Sequence, residues 1–149
     1  MSQGAFLRRH RKIGLDTSVF MYAVEAHPKY AGPAESVLSW IESPRGKGVT
    51  STLTMLEVLV QPYRQADLDR VDRFYALLAT YPHLEWVAPG LEIADLAAQL
   101  RAEHGLRTPD AIQAATALAC GATGFVCNDP IFRRVTGLEV ALLDQVTGG

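Results

Sequence analysis

Only two cysteines, Cys120 and Cys127, occur in the 149 residues, too few for a disulfide framework and without the paired Cys/His spacing of a zinc site. Both read as small buried residues in a reducing compartment. Long apolar runs are missing too. None approaches the roughly 20 residues that cross a bilayer, and the start MSQGAFLRRHRK has no apolar stretch behind its positive charges, as a secretory leader would. A cytoplasmic location is the expectation. Charge of one sign is scarce: the formal net is -2, so no overall field favours nucleic acid and any such function must come from local features. Internal repeats and low-complexity linkers are absent from the sequence.

What is present is globular composition, with 48% hydrophobic and 20% charged residues in a chain about the size of one domain. A single domain over 1–149 is expected. Its first eleven residues read as a loose basic segment, because the one dense basic cluster, Arg8, Arg9, His10, Arg11 and Lys12, falls in a terminal stretch of the kind that is commonly solvated. Contact with phosphates is the functional reading of the same cluster.

Short apolar runs alternate with longer segments of helical period, the pattern of an α/β fold with a central, mainly parallel β-sheet flanked by helices. Strands are predicted at Lys12 to Leu15, Gly48 to Ser51, Leu84 to Val87, Gly124 to Cys127 and Glu139 to Leu143. A short helix follows Asp16, and a second spans about Pro33 to Ile41. A third starts at Ser51 or Thr52 and should stop before Pro62. The repeat Leu68, Val71, Phe74, Tyr75, Leu78 predicts a helix with one buried stripe. A further helix covers Leu91 to His104, with Gly105 as its stop. The last has Thr108 as cap, Pro109 at its first position and Asp110 in its first turn, with Gly121 past its end.

Four acids stand out against this frame. Asp16 follows the strand end Ile13-Gly14-Leu15 and by itself reads as an N-cap. Glu57 interrupts Leu53-Thr54-Met55-Leu56-Glu57-Val58-Leu59-Val60, an apolar helix expected to be buried on most sides; there a carboxylate needs a cation, a basic partner or a wet cleft. Asp110 heads the apolar Ala111 to Leu118, where an acid complements the helix dipole. Asp129 follows Phe125-Val126-Cys127, and Asn-Asp-Pro is also a good turn. Right-handed strand-helix-strand units, however, bring strand ends and the starts of following helices to one edge of the sheet. Four carboxylates meeting there would repel one another unless divalent cations neutralised them. Ligands that are all oxygen select hard ions, Mg²⁺ or Mn²⁺, and such ions suit hydrolysis of a phosphodiester.

On these motifs the sequence resembles the PIN-domain ribonucleases and, among them, the VapC toxins of toxin-antitoxin pairs. The elements are Ile13-Gly14-Leu15-Asp16-Thr17-Ser18, Thr50-Ser51-Thr52-Leu53-Thr54-Met55-Leu56-Glu57, the specific Thr108-Pro109-Asp110-Ala111-Ile112-Gln113-Ala114-Ala115-Thr116-Ala117-Leu118, and Cys127-Asn128-Asp129 with Phe132. The resemblance implies a PIN-like three-layer α/β sandwich and a catalytic, metal-binding quartet of Asp16, Glu57, Asp110 and Asp129, which would cut RNA with Mg²⁺ or Mn²⁺. It also implies Ser18 as a hydroxyl near the site, Asn128 as a supporting group, a homodimer, and a VapB-like antitoxin as partner. Arg107, Arg133 and Arg134 flank the third and fourth acids and are candidates for RNA phosphates or plain surface arginines. Two positions depart from the pattern: Cys127 stands where the family often has threonine, and Ile131 where another acid often follows, which weakens a second ion position.

Two other readings compete. An aspartate-dependent phosphohydrolase or phospho-acceptor domain would also use an Asp at a strand end. A haloacid-dehalogenase-type site, however, wants an Asp where Ser18 stands, and a receiver domain wants a late lysine, whereas lysine is confined to Lys12, Lys29 and Lys47. The other is a catalytically silent module of the same fold that binds RNA or protein.

Overall fold

A computed structural model describes residues 3–144. In chain order the elements are α1 (Gln3–Arg8), β1 (Ile13–Leu15), α2 (Thr17–Val24), α3 (Ala31–Glu42), β2 (Gly48–Ser51), α4 (Leu53–Arg64), α5 (Leu68–Ala79), β3 (Leu84–Val87), α6 (Leu91–His104), α7 (Thr108–Ala119), β4 (Gly124–Cys127), a 3-10 turn (Pro130–Arg134) and β5 (Glu139–Leu142). No helix among the described residues is long and apolar enough to cross a membrane.

The five strands form one sheet in the order β3-β2-β1-β4-β5, and every pair is parallel. Successive side chains on a strand face opposite ways, and the core is accordingly double. Ile13, Leu15 and Val126 join Phe20, Val37 and Leu78 on one face; Phe125 and Cys127 join Ala114 and Phe132 on the other. The sheet is thus the middle of three layers. The chain winds from β1 towards β3 on one side and then crosses to β4 on the other. Its switch point lies between β1 and β4, outside whose carboxyl ends open α/β sheets bind ligands.

α7 packs unusually close to the sheet. Its buried side is small, with Ala111, Ala114, Ala115 and Ala117, and it faces Gly14 of β1. A Cβ on Gly14 would lie 2.5 Å from the Ala117 Cβ and 2.7 Å from Phe125 Cδ1, closer than carbon atoms can approach without displacement.

Four local expectations need correction. The N-terminal segment is not loose from residue 3 onwards: α1 buries Phe6 and Leu7 at 0% and 5% exposure. Residues 1 and 2 lie outside the described ones. Three of the basic residues behind it, Arg9, His10 and Lys12, are engaged. Arg9 Nη2 and His10 Nε2 each lie 2.8 Å from Glu139 Oε1, and Lys12 Nζ donates to the Cys120 carbonyl at 3.0 Å. All of them stand at the amino ends of the strands, the edge opposite Asp16. Second, α4 runs through Pro62 to Arg64. Pro62 extends the buried stripe of Thr54 and Val58, so burial of its ring offsets the N–H it cannot supply. Third, α4 is not covered on most sides, and Leu56 is 59% exposed. Fourth, Thr108 is no cap: Arg107 holds that position without a side-chain cap bond, and Thr108 Oγ1 accepts from Arg101 Nη1 at 3.0 Å.

Candidate active site

Asp16 ends β1, held there by its backbone N–H, which donates to the Val126 carbonyl at 3.0 Å. It occupies the N-cap position of α2, yet its carboxylate makes no cap bond. Ser18 Oγ donates to its Oδ2 at 2.8 Å instead. Glu57 is carried by α4 beside buried Val58 and is half-buried; its Oε1 accepts from Thr17 Oγ1 at 2.8 Å. Asp110 lies in the first turn of α7, buried at 8% exposure. There the helix end attracts negative charge, and Arg107 Nε approaches Oδ2 at 3.3 Å.

Asp110 and Glu57 both act on Asp16. Burial first, then the negative charges of Asp110 and Glu57, push the Asp16 carboxyl from 3.8 up to about 6, against the opposing pull of the Ser18 bond. Asp129 is placed differently. It is exposed at the end of β4, and its Oδ1 accepts from the Ile131 N–H at 2.9 Å, so its side chain caps the 3-10 turn as the Asn-Asp-Pro pattern suggests. Its charge still reaches inward: with that of Asp16 it adds to the burial that pushes the Cys127 thiol up.

Among the described residues no group of three or more His, Cys, Asp or Glu side chains is placed to hold a metal ion together. Each carboxylate has turned to a local partner: Ser18 for Asp16, Thr17 for Glu57, Arg107 for Asp110 and the Ile131 N–H for Asp129. The donor chemistry nevertheless fits a hard divalent cation. All donors are oxygens, and Asp16 is disfavoured as an anion by burial and by the neighbours that a cation would neutralise.

The remaining predicted residues separate into those at this edge and those engaged elsewhere. Ser18 touches Asp16 directly. Asn128 instead ties α2 to the residues after β5, donating from Nδ2 to Tyr22 Oη at 3.1 Å and accepting the Asp144 N–H at 2.9 Å. Arg107 is exposed apart from its reach to Asp110. Arg134 Nη1 donates to the His104 carbonyl at 3.0 Å, closing the end of α6, and Arg133 is exposed near Cys127.

Sequence reasoning missed a polar network beneath the acids. Thr50, Thr54 and Gln113 are buried at 1%, 0% and 2% exposure. Gln113 Nε2 lies 2.8 Å from Thr54 Oγ1 and 3.2 Å from Thr17 Oγ1, and Thr50 Oγ1 lies 2.7 Å from Thr54 Oγ1. A signal existed: Gln113 is the amide in the otherwise apolar run Ala111 to Ala115, and buried polar groups require partners.

An all-parallel sheet with its switch point between β1 and β4 defines a doubly wound α/β domain, and the acidic edge there is its candidate ligand site. The chain belongs to the PIN domain family, whose model matches residues 13–138. Solved structures share the fold. A chain of VapBC2 from Rickettsia felis bound to a DNA fragment from their promoter has 18% identity and a TM-score of 0.67, covering 88% of this chain and 98% of that chain. A chain of VapBC-1 from nontypeable Haemophilus influenzae has 21% identity and a TM-score of 0.66 over 90% and 99%. A toxin-antitoxin complex from Klebsiella pneumoniae contributes one with 22% identity and 0.65 over 85% and 94%. No match was found among curated proteins.

Proposed function

We propose that this chain is a metal-dependent ribonuclease, the toxin of a toxin-antitoxin pair, acting as a single cytoplasmic domain. The observation that carries the reading is a buried Asp16 at the switch point, raised to about 6 by burial and, after it, by the charges of Asp110 and Glu57. Membership of a family of nucleases that generally use divalent ions supports it. Asp16 and Asp110 would hold one Mg²⁺ or Mn²⁺, with Glu57 and Asp129 reaching through water, since Mg²⁺ usually takes one or two carboxylates and keeps several waters. When bound, the ion lowers the pKa of water and stabilises charge on the phosphodiester. Glu57, held by Thr17, orients the attacking water. Asp110, at the positive end of α7, keeps its carboxylate in place while Arg107 swings aside to free it. Asp129 would contribute to a second position only by leaving the Ile131 N–H.

The partner reading, a VapB-like antitoxin bound to a homodimer, is supported by a groove of about 490 Å³ lined by Met55, Leu56, Tyr75 and Trp86. It adjoins the helix that carries Glu57, and Leu56 and Tyr75 expose 59% and 55% of their surface there. Exposed apolar patches of this kind commonly mark protein contacts. The engagement of each acid by a local partner favours, as second reading, a silent binding module. One experiment separates them: purified protein should cut RNA with added Mg²⁺ or Mn²⁺ and stop with chelator. Full cleavage by Asp16→Asn would overturn the assignment of the acids, and a wild-type chain with neither cleavage nor divalent-ion affinity would leave the binding module.

A further inference from the structure

The network around Gln113 can be read for the direction of every hydrogen bond, because two of its members have no choice. A backbone N–H can only donate and a backbone carbonyl can only accept. The Ser51 N–H donates to Gln113 Oε1 at 3.3 Å, which fixes which end of the amide is oxygen. Gln113 Nε2 therefore gives its two hydrogens to Thr54 and Thr17. At the far side, Thr50 Oγ1 gives its single hydrogen to the Leu15 carbonyl at 2.9 Å, in preference to Gln113 Oε1 at 3.4 Å. The 2.7 Å contact between Thr50 and Thr54 must then be donated by Thr54. Thr54 has no hydrogen left for Thr17, 3.2 Å away. Thr17, already accepting from Gln113, turns its one hydrogen to Glu57 Oε1 at 2.8 Å.

We propose that Gln113 is a positioning residue of the acidic edge: by donating to Thr17 it sets that hydroxyl as a donor to Glu57 and holds the carboxylate at the carboxyl end of the sheet. The effect on ion binding rests on the nuclease reading, whereas the hydrogen-bond directions do not.

The test uses the full-length protein. In metal-free buffer with chelator, the two Gln113 side-chain amide protons should exchange slowly with water in the nuclear magnetic resonance spectrum, and Thr17→Val should shift one of them far more than the other. Calorimetry with Mn²⁺ alone should show about a tenfold weaker affinity for Gln113→Met, which removes both donors without adding a charge. Thr17→Val should lose as much, the double variant no more than either, and Thr17→Ser should restore the affinity by restoring the hydroxyl. Additive losses, or freely exchanging Gln113 protons, would overturn the proposal. Should the Gln113 variants fail to fold, the Thr17 pair and the wild-type proton spectrum decide it. If the wild-type chain binds no Mn²⁺, the nuclease reading falls, and the metal-free spectrum still decides the role of Gln113.

Discussion

Replacing Asp16 with asparagine removes one negative charge from a cleft that Asp110 and Glu57 already make negative, and it should both disable and stabilise the protein. A carboxyl raised from 3.8 to about 6 penalises the ionised folded state by on the order of 2 to 3 kcal/mol. Below about pH 4 the group is protonated in folded and unfolded chains alike, so no penalty operates. Between 3.8 and about 6 the unfolded chain ionises first and the folded chain holds more protons. Wild-type stability should therefore fall as pH rises through that window and stay reduced above it. The substituted amide keeps an acceptor for Ser18 and carries no charge. In thermal melts followed by circular dichroism with chelator present, Asp16→Asn should melt about 5 to 10 °C above wild type at pH 7.5 and level with it near pH 4. Adding Mg²⁺ should raise the wild-type midpoint and leave the variant unmoved. A wild-type stability that does not decline relative to the variant between pH 4 and 6, or an equal response of both to Mg²⁺, would refute the reasoning.

Asp110→Asn should lower the cleavage rate by more than the roughly 10- to 100-fold loss typical of groups that only support a metal ligand, measured on labelled RNA at saturating Mn²⁺. Arg107→Ala should leave the unfolding free energy within about 1 kcal/mol of wild type, as an exposed partner of an ion pair does, and should tighten Mn²⁺ binding by freeing Asp110, read by calorimetry. Gly14→Ala should destabilise by roughly 1 to 3 kcal/mol in urea titrations, because the added methyl must push α7 off the sheet. Phe6→Ala should destabilise by roughly 3 to 5 kcal/mol, an effect no loose tail would show.

The sheet was readable because its strands are short apolar runs bounded by turn residues, and their pairing follows from the handedness of the crossovers. α6 was readable to the residue because Gly105 adopts the left-handed φ of 69° that ends a helix. α1 was not, since Phe6 and Leu7 are two neighbouring apolar residues ahead of a basic run and show no period; α3, which packs against them, is far away in sequence. The open side of α4 was hidden for a similar reason. Residues 53–60 are apolar round nearly the whole helix, and which side packs on the rest of the molecule, leaving Leu56 to water, is set by tertiary structure. At the acidic edge, strand ends and helix starts bring Asp110 and Glu57 within electrostatic reach of Asp16. The attachment of Asp129 to its own turn was legible in Asn-Asp-Pro, a good turn, and it keeps that side chain apart from the other three. Gln113 was passed over because one amide in an alanine-rich helix has no pattern, and its meaning comes from three threonines on other elements.

β1 is the middle strand of five, hydrogen-bonded to β2 and β4 and buried along its whole length. Amide protons in such a strand exchange with deuterium only when the whole molecule opens, so Asp16 is rooted in the slowest-exchanging part of the chain and not on a surface loop. Heat inactivation should therefore follow global unfolding, without an earlier phase in which a local opening abolishes activity while the remainder of the molecule stays native.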